Sequence, residues 1–138
     1  MIRAVLFDFS GTLADCGEAW WRLELTTTVT APLELLQARG ALALRDGDLQ
    51  RADSLFTDMQ RRAKETGVEI SAHEAVRQAA AALELAVPPA ALDETVDELF
   101  RACLADVTPL DGTASMLAQL EQRGLALAVI SNARHGPF

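Results

Sequence analysis

The sequence predicts an α/β fold: two short parallel strands, one near each end of the chain, joined through a long block of helices. Three observations predict it. Residues Ala4 to Phe9 form an apolar run broken only by Asp8, and Leu125 to Ile130 form a second. Short runs of this kind, each ending in small polar residues, read as strands buried on both faces. Between them the apolar spacing is almost wholly helical. The last helix leads directly into the second strand, which is half of a β-α-β crossover, so the two strands should be parallel.

The elements follow in order. The first strand ends in the turn Ser10-Gly11-Thr12. A helical stretch then runs from about Glu18 to Gln37. It is weakened by the β-branched run Thr26 to Thr30 and interrupted at Pro32. Arg45-Asp46-Gly47-Asp48 is a turn that opens a second helix, about Leu49 to Thr66, and Gly67 suits the position just past its end. Ser71-Ala72-His73-Glu74 has the form of a capping box, in which a hydroxyl and a carboxylate satisfy first-turn N–H groups. The helix behind it should reach about Ala86. Pro88-Pro89 stops it and starts the next, about Ala90 to Ala105, whose Leu92, Val96, Leu99 and Cys103 form one apolar face. The last helix, about Gly112 to Gln122, ends at Gly124.

Length and composition bound the function. A chain of 138 residues is one domain, or one domain and part of another. Half of its residues are apolar, so a core can form. Acidic residues outnumber basic ones 20 to 12, a formal net charge of −8. That balance argues against electrostatic capture of nucleic acid or of an anionic membrane, which both need a basic face. Cys16 and Cys103 are too few for a disulfide framework and match no metal-ligand spacing; they read as reduced thiols in a cytoplasmic protein. The N-terminal apolar run is too short for a signal peptide, and no stretch approaches the roughly 20 apolar residues of a membrane span.

The chemistry gathers at the strand ends. In an open α/β sheet the ligand crevice lies beyond the carboxyl ends of the strands. A carboxylate there, Asp8, can serve as a nucleophile or a metal ligand, or it can simply cap the turn that follows. Gly11 lets backbone amides approach an anion, and the Thr12 hydroxyl can donate to one. Ser131-Asn132 follows the second strand as Asp8 follows the first, so a hydroxyl and an amide there could bind the same phosphoryl oxygens. The turn Pro109-Leu110-Asp111-Gly112 precedes the helix that feeds this strand.

With Val5-Leu6-Phe7-Asp8-Phe9-Ser10-Gly11-Thr12-Leu13, a helical insertion, Pro109-x-x-Gly112, and an apolar strand ending in Ser131-Asn132, the whole chain resembles the haloacid dehalogenase-like hydrolase superfamily. The resemblance implies a partial Rossmann-like core, residues 1–15 and 106–138, and an α-helical cap inserted at residues 16–105. It implies a Mg²⁺-dependent phosphatase of a small phosphorylated metabolite, working through an aspartyl-phosphate. Asp8 would be the nucleophile and a Mg²⁺ ligand, with the backbone carbonyl of Ser10 as a second ligand. Thr12 and Ser131 would bind the transferring phosphoryl group, and Asn132 would orient the site.

Three departures from the family pattern carry expectations of their own. The family's phosphatases usually place Asp, as general acid and base, where this chain has Ser10; a serine cannot supply that proton transfer, typically worth ~10²–10⁴-fold. The Lys and acidic motifs that complete the family's site are not found before Phe138, and the one Lys, Lys64, lies in the helical insertion and reads as a surface charge. Only two strands are present, so their edges and faces should expose apolar surface. The alternative expectation is therefore a truncated, non-catalytic remnant or interaction module, or a subunit completed by a second copy or another chain through the open sheet edges.

Other residues have plainer readings. Trp20 and Trp21 read as core packing, with a substrate-pocket role as the alternative. Asp15 reads as a turn or surface residue. His73, in the capping box, reads as a surface or packing residue. Arg134 and His135, near the end of the chain, could attract a phosphate. Asp93, Glu94, Asp97 and Glu98 read as the solvated face of their helix.

Overall fold

A computed structural model describes residues 2–131. In chain order they form β1 (Ala4–Phe7), β2 (Ala14–Asp15), α1 (Gly17–Arg22), a π-helical turn (Leu23–Thr27), α2 (Thr30–Ala38), α3 (Asp48–Thr66), α4 (Ala72–Ala82), α5 (Pro89–Leu104), β3 (Thr108–Pro109), α6 (Thr113–Gln122) and β4 (Ala126–Val129). β1 and β4 pair in parallel, with Ala4 opposite Ala126 and Phe7 opposite Val129. The fold is α/β, as the two apolar runs require.

A second, two-residue ladder was not foreseen. β2 and β3 pair antiparallel, Ala14 with Pro109 and Asp15 with Thr108. Two residues carry no periodicity, so the sequence gives no warning of them. Beside this ladder the Leu13 carbonyl accepts the Leu110 N–H at 3.0 Å and the Thr113 hydroxyl at 3.1 Å. The ladder draws together the two ends of the helical insertion and sets α6 beside the turn that follows β1.

The core lies among the helices. Leu33, Val76, Ala79, Leu83, Val96 and Phe100 are essentially inaccessible. Burying a side chain of the Val, Leu or Phe kind stabilises by roughly 1.5–3 kcal/mol. Trp20, also buried, meets Phe100 edge to face, with ring centroids 6.0 Å apart and planes at 81°. Trp21, its neighbour, is exposed.

The stretch expected to be interrupted at Pro32 breaks earlier. The Thr26 hydroxyl donates to the Arg22 carbonyl at 2.8 Å, and the Thr28 hydroxyl to the Leu23 carbonyl at 2.7 Å and the Glu24 carbonyl at 3.1 Å. These side chains compete for helix carbonyls, which widens and ends the turn. α2 restarts at Thr30, so Pro32 falls in its first turn, where a missing N–H costs nothing.

α4 stops at Ala82, short of the expected Ala86, because the chain reverses there. The Glu84 N–H donates to the Ala81 carbonyl and the Leu85 N–H to the Ala80 carbonyl, the paired bonds of a Schellman ending. α2 and α6 end with the same paired bonds around Gly40 and Gly124. Those glycines have φ of 70° and 72°; Glu84 occupies the same left-handed region at φ 56°. A side chain there costs roughly 1–2 kcal/mol. Glu84→Gly is therefore expected to stabilise the protein by about 1 kcal/mol after the added unfolded-state entropy of glycine. Urea denaturation checks this, and a lowered midpoint would refute it.

Charges fasten the helices. Asp48, the first residue of α3, has its side chain only 2% exposed. It accepts the Arg45 N–H at 2.9 Å and the Arg45 Nε at 3.2 Å, and Arg51 Nη1 lies 3.4 Å away. The Arg45 backbone N–H, foremost, holds the carboxyl below the usual carboxylate range, and the two guanidinium groups reinforce it. Since the folded state binds the proton less readily than the unfolded chain, this carboxylate stabilises at neutral pH and that stability is lost as the pH falls below about 4. Asp48→Asn should melt lower than the wild type at pH 7, with the gap narrowing at pH 3 in parallel thermal melts.

The acidic residues of α5 do more than face solvent. Glu98 bonds Arg39, just past the end of α2, at 2.6 Å, Asp97 Oδ1 lies 2.9 Å from His73 Nε2 of α4, and Asp93 Oδ2 lies 3.6 Å from Arg77 Nη1. His73 is buried and paired with α5, the placement of a packing residue between α4 and α5.

The expectation that both strands are buried on both faces is overturned. Val5 and Phe7 are half-buried, but Ala4 and Leu6 are exposed, and every residue of β4 is exposed. α6 packs against β4, yet it buries none of its own residues. Among the described residues one helix and a neighbouring strand do not cover an apolar sheet, and Leu6, Val129 and Ile130 remain 61%, 53% and 60% exposed.

Candidate functional site

The parallel ladder determines where the strand ends lie. The Ile130 N–H donates to the Phe7 carbonyl at 2.8 Å, extending the pairing by one step past Val129. Neighbouring strands run roughly 4.8 Å apart. Asp8 and Ser131, each just beyond its strand, therefore emerge at the same end of the same sheet. The register brings together two chain segments that the sequence places at opposite ends.

The side chains at this tip are open to solvent. Asp8, Thr12 and Ser131 are exposed. Asp8 Oδ1 accepts the N–H of Phe9 at 2.8 Å, which fixes one carboxylate oxygen and leaves the group at the surface. Asn132, Arg134 and His135 lie outside the described residues.

The turn after Asp8 is tightly closed. The Phe9 carbonyl accepts the N–H groups of Thr12, Leu13 and Ala14 at 3.2, 2.9 and 3.2 Å. The Gly11 N–H donates to the Ala14 carbonyl at 2.8 Å, so that amide is used within the turn and is not offered to an anion. Gly11 has φ 74°, the left-handed conformation this reversal needs.

Ser10, half-buried, places its Oγ 3.2 Å from the Sγ of buried Cys16. The sequence reading takes Cys16 only as a reduced thiol, because a lone thiol carries no further signal until the turn brings it back against Ser10. It passes over Leu13 and Thr113, whose contact joins the turn to α6.

For a metal, the donors expected from the sequence are the Asp8 carboxylate and, two residues on, the Ser10 carbonyl. Among the described residues no group of three or more His, Cys, Asp or Glu side chains is placed to hold an ion. Mg²⁺ keeps several waters and is commonly held by one or two carboxylates together with substrate phosphate. A single carboxylate at an open tip fits that shared mode and does not fit an all-protein cage.

The parallel ladder places a carboxylate residue and a hydroxyl residue beyond the carboxyl ends of neighbouring strands, where open α/β sheets bind their ligands. Residues 2–137 match the family described as haloacid dehalogenase-like hydrolase, and the chain belongs to that family. No curated protein matches it. Family membership accords with the two strand-end motifs. Among the described residues no helix is long and apolar enough to cross a membrane.

Proposed function

We propose that the protein is a Mg²⁺-dependent phosphatase of a small phosphorylated metabolite. What supports this reading is the parallel pairing that sets Asp8 and Ser131 at one sheet tip, in a chain of the hydrolase family. Asp8 is the nucleophile: one carboxylate oxygen forms the bond to phosphorus as the ester P–O bond breaks, and the alcohol leaves with a proton from water. Water then cleaves the aspartyl-phosphate, releasing inorganic phosphate and restoring Asp8. Thr12 and Ser131 bind the phosphoryl oxygens through their hydroxyls, and Asn132 orients the group. Asp8 and the Ser10 carbonyl would hold Mg²⁺, which would neutralise phosphoryl charge.

In this reading residues 16–105 are a cap that limits water and selects the substrate, and residues 1–15 and 106–138 are the core. The acidic charge favours a small molecule over nucleic acid, and the sparse cysteines favour the cytoplasm. Hydrolysis of an aryl phosphate that requires Mg²⁺ and stops on chelation is the expected result. Turnover that ignores the metal would exclude this mechanism.

A second reading is favoured by the exposed Leu6, Val129 and Ile130. Parallel sheets are normally covered on both faces. Here the chain is a subunit or interaction module completed by another copy or another polypeptide. Native mass measurement separates the two readings. A monomer that turns over substrate removes the second, and an inert monomer whose activity appears only in a larger assembly supports it.

A further inference from the structure

We propose that Ser10 is a positioning residue: its hydroxyl is tied to the buried thiol of Cys16, and this tie holds the turn carrying Asp8 against the helical body. The kinetic consequences rest on the reading of Asp8 as the reacting carboxylate; the tie itself does not.

Ser10 Oγ and Cys16 Sγ are 3.2 Å apart. Cys16 is 1% exposed and belongs to the same core as Trp20 and Phe100. It immediately precedes α1. The Ser10 hydroxyl is thus engaged toward the interior of the helical body, beside Phe9, which packs against the same core.

The bonds around it explain why one weak contact matters. Residues 9–14 are closed by their own backbone bonds, with Phe9 accepting three N–H groups and Gly11 donating to Ala14. That makes the turn stiff but does not say where it sits. Phe9 packs against the core and Ala14 pairs with Pro109, and two side-chain or carbonyl links add to these. The Leu13 carbonyl takes bonds from Leu110 and Thr113, on the α6 side. Ser10 Oγ and Cys16 Sγ share a hydrogen bond on the α1 side. Asp8 is exposed, and its Oδ1 bond to Phe9 is local, so its position follows that of the turn. Misplacing a reacting group by about 1 Å can cost on the order of 10²-fold in rate.

This role differs from proton transfer in what it predicts. A tether acts through Cys16, so removing either partner has the same effect and removing both adds nothing further. A proton carrier acts alone and shapes the pH profile.

The experiment compares Ser10→Ala, Cys16→Ala, the double variant and Cys16→Ser in the full chain. The first readout is amide hydrogen exchange over residues 8–14, which needs no turnover. Each alanine variant is expected to raise exchange there about tenfold, the factor a single lost hydrogen bond supplies. The double variant should match the singles, and Cys16→Ser, whose hydroxyl can still meet Ser10, should restore protection. The second readout is hydrolysis of an aryl phosphate in Mg²⁺, where kcat should fall about tenfold in both alanine variants, with KM and the pH profile unchanged.

Unchanged exchange in both alanine variants overturns the proposal. So does a double variant whose effects add, or a limb of the pH profile lost only in Ser10→Ala. Should exchange respond as expected while Asp8→Asn turns over as fast as the wild type, the tie stands and the phosphatase reading falls.

Discussion

Asp8→Asn is expected to abolish turnover of an aryl phosphate, lowering kcat by about 10³-fold or more, and to leave the fold intact. The size follows from chemistry. A neutral amide oxygen is a poor nucleophile and a poor partner for a dication, so the step that makes the phosphorus–oxygen bond is lost, and losing a nucleophile commonly costs several powers of ten. The intact fold follows from the surroundings of the residue. Asp8 is exposed, and the Phe9 N–H that its Oδ1 accepts can be accepted equally by an asparagine oxygen. Substitutions at such surface positions typically change stability by no more than about 0.5 kcal/mol. Steady-state kinetics and thermal melts on the same preparations check both halves. Equal turnover by the two proteins would remove Asp8 from the mechanism.

Phe100→Ala is expected to have the largest effect on stability, a loss of about 3–5 kcal/mol. Phe100 is 1% exposed and lies on α5, the helix that packs against α1, α2 and α4. Truncation leaves a cavity whose walls belong to several helices, so no single one can move in to fill it. It also removes the edge-to-face contact with Trp20, itself worth ~0.5–1.5 kcal/mol beyond burial. Because α1 begins just after Cys16, loosening Trp20 loosens the element that holds Ser10. Urea denaturation measures the loss, and Phe100→Leu, which keeps most of the volume, should recover more than half of it. A loss below about 1 kcal/mol for the alanine variant would mean that the helical core packs elsewhere.

These two predictions draw on different levels of the chain. Asp8 stands out in the sequence, since a carboxylate ending an apolar run is costly unless used, and Ser131 follows the second run as Asp8 follows the first. Phe100 does not stand out. The apolar face read on that helix comprised Leu92, Val96, Leu99 and Cys103. In the fold Leu92 and Val96 are buried, Leu99 and Cys103 are only partly so, and Phe100 is the largest side chain sealed in the core. Periodicity identifies a stripe about 100° wide, but which edge of that stripe is sealed depends on the neighbouring helices.

What the sequence determined by itself is local. The strand runs, the Ser71 cap, which accepts the Glu74 N–H at 3.2 Å, the ending at Gly67 and the start at Pro89 all follow from interactions spanning a few residues, and all are found. The expectation that two strands would leave apolar surface open was legible too, because it needed only a count of strands. What the tertiary structure decided is which distant segments meet. Leu13 and Thr113 bond across 100 residues, β2 and β3 pair through two residues each, and the acidic groups of α5 find partners on α4 and just past the end of α2. Such contacts carry no repeating pattern, and their formation depends on closing long loops and on packing the helices between. The tip that unites Asp8 with Ser131 belongs to both levels: its chemistry is written at each strand end, and the parallel register of β1 and β4 makes it one place.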